Sequence, residues 1–117
     1  YARQAVVTAA AAYGLQAIDI VTIDFRDIER VRREAAFGAQ LGYAGKQVIH
    51  PEQVTPVQEA FTPGDEAIAH ARRIVETFDA SQKEGKGAYA LDGKMIDMPL
   101  LKSAQNVLER AKAAGKE

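Results

Sequence analysis

Cysteine is absent from this sequence, which excludes disulfide bonds, thiolate catalysis and cysteine metal sites. Histidine is scarce, with 2 copies, His50 and His70. Neither sign of charge dominates: 15 Lys and Arg stand against 16 Asp and Glu, for a net charge of −1. A balanced chain lacks the field that draws a protein to nucleic acid or to an anionic membrane, so neither is expected as a partner. No apolar run approaches the roughly 20 residues that cross a bilayer. Patterns such as HExxH, paired His ligands or an EF-hand loop are missing, so no metal motif is legible. The one glycine cluster, GYAG at 42–45, precedes a strand-like stretch, the wrong side for a phosphate-cradling loop.

What is present suits a soluble domain. The chain has 117 residues, 47% hydrophobic and 26% charged, enough for one modest core. It opens YARQAVVTAAAAYG, with no initiator Met and no basic leader. That reads as a helix already under way, and the expectation is a chain that begins inside a larger protein.

Local signals give the element order. An Ala-rich helix runs from about Ala2 to Tyr13, with Gly14 as its stop. LQAIDIVTID gathers Ile18, Ile20, Val21 and Ile23 and predicts a buried strand. In DFRDIERVRREAAFGAQLG, Ile28, Val31, Ala35 and Leu41 recur at helical spacing, and Gly42 and Gly45 end the pattern. KQVI predicts a second strand, closed by His50-Pro51, and Pro51 suits the first turn of the next helix. Pro56 should shorten or kink that helix. Thr62-Pro63 then predicts the start of a longer helix, capped by Thr62 and striped by Ala67, Ile68, Ala71, Ile74, Val75 and Phe78. KEGKG, residues 83–87, is the one credible linker. Beyond it Asp92-Gly93 suits a type I′ turn between two β-prone arms, and a last helix carries Leu100, Leu101, Ala104, Val107, Leu108 and Ala111.

Strands joined through helices run parallel and need both faces covered. Two such strands do not make a stable sheet alone. The expected fold class is therefore α/β: the C-terminal part of a TIM (β/α)8 barrel, its last two strands and their helices, plus a C-terminal lid of β-hairpin and helix. Residues 1–82 would form the barrel portion, 83–87 the linker and 88–117 the lid. A doubly wound sheet is the structural alternative.

Function in a barrel sits at the C-terminal ends of the strands, which singles out Asp24, Phe25, Arg26 and Asp27, then His50 and Pro51. Each has a plainer role open to it. Asp24 or Asp27 fits the cap of the following helix, and His50 fits an N-cap satisfied by backbone amides. His70 lies at the edge of a helical stripe and reads as structural or solvated. Asp97, in KMIDMPLLKSAQNVL, is well placed to cap the last helix with Pro99 in its first turn. Its apolar neighbours Ile96, Met98 and Leu100 also suit an acid or base that a partner surface would cover.

LQAIDIVTIDFRD, GYAGKQVIHPEQV and GKGAYALDGKMIDMPLLKSAQNVL together resemble the C-terminal part of the HpcH/HpaI aldolase and citrate lyase beta superfamily. DGKMIDMPLLKSAQ resembles the lid of its citramalyl-CoA and malyl-CoA lyase branches. The resemblance implies a Mg²⁺-dependent barrel enzyme, usually a trimer, that splits (3S)-citramalyl-CoA into acetyl-CoA and pyruvate. Malate synthase and malyl-CoA thioesterase side activities are implied with it, as is a mitochondrial location. The family's metal carboxylates and a substrate-binding Arg would lie in an N-terminal part of the barrel outside this chain, so metal ligands are expected there and none here. Asp97 matches the lid carboxylate that acts in a neighbouring subunit's site, and the resemblance implies a catalytic role for it. Asp24, Phe25, His50 and Pro51 are the expected contributors to the acyl-CoA substrate site. Two other readings stay open: a malyl-CoA lyase or citrate lyase beta subunit of the same superfamily, and a non-catalytic interaction module.

Overall fold

In the computed structural model, residues 1–83 and 89–116 are described. The chain folds as two compact units, residues 1–61 and 62–117.

The first unit is α/β. Helix α1 (Ala2–Ala12) ends at Tyr13, after which Gly14 takes φ 65°. Strand β1 (Ile18–Asp19) pairs in parallel with β2 (Gly45–Lys46), Ile18 opposite Gly45 and Asp19 opposite Lys46. The crossover between them is α2 (Ile28–Leu41), which Gly42 ends in the left-handed region at φ 99°. The parallel pairing follows the sequence expectation, but the content of β1 does not. The apolar residues in and just after β1 are exposed: Ile20 is 70% and Ile23 80% exposed, and Ile18 is exposed as well. The buried positions are Ala17, Asp19 and Thr22. Side chains alternate along an extended chain, and Asp19 faces α2 closely enough that a Cβ on Gly38 would lie 2.5 Å from its carboxylate. No other strand of the unit pairs with β1 or β2, so the outer edges of the pair are unpaired, and the exposure of Ile18 and Ile20 leaves the face opposite α2 open. β2 is likewise shorter than KQVI suggests, and Val48 and Ile49 are exposed.

A 3-10 turn (Pro51–Gln53) leads into α3 (Val54–Phe61). Pro56 sits in the first turn of α3, where the missing N–H has no helical partner to lose, so the helix starts late rather than kinking. Val31 and Ala35 of α2 form a small core with Val57, flanked by Ala60 and Phe61.

The second unit holds α4 (Asp65–Lys83), the antiparallel hairpin β3 (Tyr89–Leu91) and β4 (Lys94–Ile96), and α5 (Met98–Ala113). α4 begins at Asp65, three residues after the expected Thr62 cap, and the Gly64 carbonyl accepts the first helical bond from Ile68 N–H at 3.0 Å. The hairpin turn has φ 50° at Asp92 and 76° at Gly93, positive at both central residues as a type I′ turn requires. Ala71, Ile74, Tyr89, Ile96 and Ala104 make the core. Each fully buried Ile contributes about 1.5–3 kcal/mol of transfer free energy. Phe78 meets Tyr89 edge to face at 4.9 Å.

The compact boundary at 61/62 thus differs from the expected barrel–lid division at 82/83. α4 groups with the hairpin and α5 because its stripe of Ala71, Ile74, Val75 and Phe78 packs on them. The expected linker 83–87, apart from Lys83, lies outside the described residues.

Candidate functional site

The loop from β1 to α2 and the loop after β2 meet in the first unit. Phe25 and His50 stack with ring centroids 4.5 Å apart and planes 18° from parallel. The Arg26 guanidinium lies 5.5 Å from the Phe25 ring, within cation–π range. His50 has extended backbone and caps the 3-10 turn, its Nδ1 accepting from Glu52 N–H at 3.3 Å, with Pro51 at the first position of the turn. Asp27 is the cap of α2, accepting from Arg30 N–H at 2.9 Å. That settles the capping question between the two aspartates and leaves Asp24 exposed at the loop tip. The structure therefore brings together Phe25 and His50, with Asp24 and Pro51 beside them in sequence. His70 is an exposed residue of α4.

Beneath these loops lies a polar network that sequence reasoning missed. Asp19, 2% exposed, accepts from Arg3 at 2.5 Å and from Ile20 N–H at 2.9 Å. The buried Lys46 ammonium donates to the Ile20 carbonyl at 2.5 Å and lies 3.9 Å from both Asp19 and Glu34 carboxylates. Thr22 donates to Glu34 at 2.5 Å, and Arg30 binds the other Glu34 oxygen at 2.8 Å. The Thr22 hydroxyl, then Arg30, hold the Glu34 carboxyl below the usual glutamate range. Buried ions are tolerated when paired in this way. Gln53, 1% exposed, completes the network through bonds to Ile49 and Thr22. The available signal was polar residues at strand and turn positions otherwise rich in Ile and Val.

Asp97 belongs to the second unit. It is exposed, has φ −110° and ψ 174°, and caps α5 by accepting from Leu100 N–H at 2.9 Å, with Pro99 in the first turn. Met95, Met98 and Leu100 around it are also exposed. The carboxylate is thus held by α5 and flanked by uncovered apolar side chains. Among the described residues no three His, Cys, Asp or Glu side chains gather as a metal centre. Likewise, no helix among them is long and apolar enough to cross a membrane.

Residues 1–51 match the model of the HpcH/HpaI aldolase/citrate lyase family. The mitochondrial citramalyl-CoA lyase of Rattus norvegicus is 52% identical over 111 residues, 95% of this chain. The chain belongs to the HpcH/HpaI aldolase/citrate lyase family. Another family relative, citrate lyase subunit beta of Escherichia coli K12, is 38% identical over 115 residues, covering 98% of this chain and 38% of its own. Among solved structures, protein CitE from Mycobacterium tuberculosis, in complex with magnesium, acetoacetate and coenzyme A, matches with a TM-score of 0.73. It is 38% identical, and the match covers 94% of this chain and 40% of that one. The chain spans about a third, 33%, of the length of the citramalyl-CoA lyases it matches. The resemblance noted in the sequence thus extends through both compact units.

Proposed function

We propose that this chain is the C-terminal part of a TIM-barrel carbon–carbon lyase that cleaves (3S)-citramalyl-CoA to acetyl-CoA and pyruvate. The observation that carries the reading is the 52% identity to the rat citramalyl-CoA lyase across 95% of the chain. The open apolar face of β1 supports it, because an isolated pair of parallel strands with Ile18, Ile20 and Ile23 exposed suits two strands of a larger sheet. In this reading the Phe25–His50 pair, with Asp24 and Pro51, forms one wall of the acyl-CoA site at the strand ends. The second unit from Tyr89 onward is the lid.

Asp97 moves the proton. Cleavage leaves the enolate of acetyl-CoA, which must be protonated at carbon, and a positioned carboxylic acid does this; in the reverse direction the carboxylate removes the same proton. The α5 N-terminus fixes the carboxylate through the Leu100 N–H and leaves it exposed, free to enter a site on a neighbouring subunit of a homotrimer. The uncovered Met95, Met98 and Leu100 would exclude water there. The magnesium dependence of such an enzyme rests on carboxylates outside this chain. The described residues do not fit a magnesium centre. The mitochondrial compartment is proposed on the rat relative's name, and malate synthase or malyl-CoA thioesterase side activity would use the same proton transfer.

The 38% identity to a citrate lyase beta subunit favours the second reading, the same chemistry on a citryl or malyl thioester. The test is acetyl-CoA release by the full-length protein from citramalyl-CoA, malyl-CoA and citryl-CoA side by side. Citramalyl-CoA should have the highest kcat/KM. Preference for malyl-CoA or citryl-CoA moves the assignment to the second reading, and turnover of none of the three overturns both.

A further inference from the structure

Gln53 is among the largest fully buried side chains of the chain, at 1% exposure, and a buried amide is retained at a cost unless both its ends are bonded. Here both are. Its Oε1 accepts from the Ile49 N–H at 2.9 Å, and its Nε2 donates to the Thr22 carbonyl at 2.8 Å. Both partners are backbone groups, one only a donor and one only an acceptor, so the orientation of the amide follows from their chemistry. Thr22 lies on the loop that carries Asp24 and Phe25, and Ile49 immediately precedes His50. One side chain therefore bridges the two loops whose rings stack at 4.5 Å.

We infer that Gln53 is a positioning residue: its amide staples the loop after β1 to the loop after β2 and so sets the Phe25–His50 pair as a wall for the acyl-CoA substrate. The substrate half of this statement rests on the proposed function; the staple does not. Lys46 of β2 and Glu34 of α2 hold the first loop through Ile20 and Thr22, but neither is bonded to the second. Gln53 alone among these side chains bonds both. The charge of a carboxylate is wrong for the position, because a second oxygen would face the Thr22 carbonyl. Gln53→Glu keeps the shape and converts one bond into a repulsion in a buried place.

The experiment reads the staple and the substrate separately in the full-length protein. Stacking shifts the His50 ring protons, and Phe25→Leu defines their positions without the neighbouring ring. With labelled histidine, Gln53→Glu at neutral pH should move the His50 signals most of the way to those of Phe25→Leu. Acidification that protonates the introduced carboxyl restores a donor and should bring them back towards the parent, recorded at each pH as reference. Should the variant fail to fold, the unsubstituted protein still decides: the Ile49 amide, bonded to a buried oxygen, should be protected from hydrogen exchange. His50 signals unmoved in a folded variant, or an unprotected Ile49 amide, overturn the staple. With citramalyl-CoA, Gln53→Glu and Phe25→Leu should both raise KM severalfold with kcat within about twofold of the parent. Unchanged KM in both overturns the substrate assignment. A parent protein that does not cleave citramalyl-CoA overturns the proposed reaction alone, since the histidine signals read the staple without substrate.

Discussion

At the scale of single residues, the observed cap and the proposed catalytic role meet on Asp97 and can be pulled apart. Asn and Asp cap helices about equally well, so Asp97→Asn keeps the bond from Leu100 N–H and should lower stability by less than about 1 kcal/mol. Loss of a positioned acid should still lower turnover in the full-length enzyme by roughly 10²–10⁴-fold. Asp97→Ala removes the cap too and should cost about 0.5–2 kcal/mol. Parent-rate turnover by Asp97→Asn would reduce the residue to its cap. Glu34 offers a second residue-scale test. The Thr22 hydroxyl is the first cause of its depressed pKa, followed by Arg30. A carboxyl whose folded pKa lies below its unfolded one stabilises the fold above the ordinary glutamate range, and that stabilisation is lost as pH falls through the folded value. Thr22→Val should therefore bring the Glu34 titration back up towards the usual range, as carboxyl ¹³C shifts will record. It should also narrow the gap in denaturant midpoint between neutral and acid pH.

Elements were legible in the sequence where their signals are local. Pro51, Pro99, Asp97 and the Asp92-Gly93 turn lie where spacing placed them, because caps and turns are decided by neighbours a few residues away. β1 was misjudged for the complementary reason. Four β-branched residues in a row predict burial, but which face of a strand is covered depends on partners far along the chain. Here α2 covers Asp19 and Thr22, and the isoleucines point the other way. Gln53 escaped notice because Thr22 lies 31 positions away, and no local pattern announces such a bond. The α2–β1 contact gives a prediction at this scale. Gly38 permits the close approach, since a Cβ there would lie 2.5 Å from Asp19 Oδ2 and 3.3 Å from its Cγ. That carboxylate is pinned by Arg3 and Ile20 N–H and has little room to retreat. Gly38→Ala gains about 1 kcal/mol of helix propensity, but overpacking typically costs about 1–3 kcal/mol. Net destabilisation is expected, read as a lower denaturant midpoint at unchanged slope. A raised midpoint would show that Asp19 moves aside freely.

The residues proposed for substrate and for proton transfer belong to separate compact units. The first holds the stacked Phe25 and His50, and the second holds Asp97 on the end of α5. Neither supplies a metal centre among the described residues, so the 117-residue chain by itself should release no acetyl-CoA from citramalyl-CoA above a no-protein control. The decisive question is whose site Asp97 serves. If the lid reaches across a subunit boundary, an inactive Asp97→Asn protein and an equally inactive full-length variant lacking the metal carboxylates can rescue one another. A productive site needs a metal-competent subunit and an adjacent subunit with an intact lid. In the proposed trimer, assembled at random from an equal mixture, each condition is met at half the positions, so about a quarter of all sites are restored. Refolding or co-expressing the pair should thus recover up to about 25% of parent activity, whereas either variant alone stays at its own low level. Activity that never exceeds the sum of the two variants, in mixed assemblies verified by mass, means that Asp97 serves its own subunit. The proton transfer could then still stand, but the lid would have to close over the barrel from which it comes.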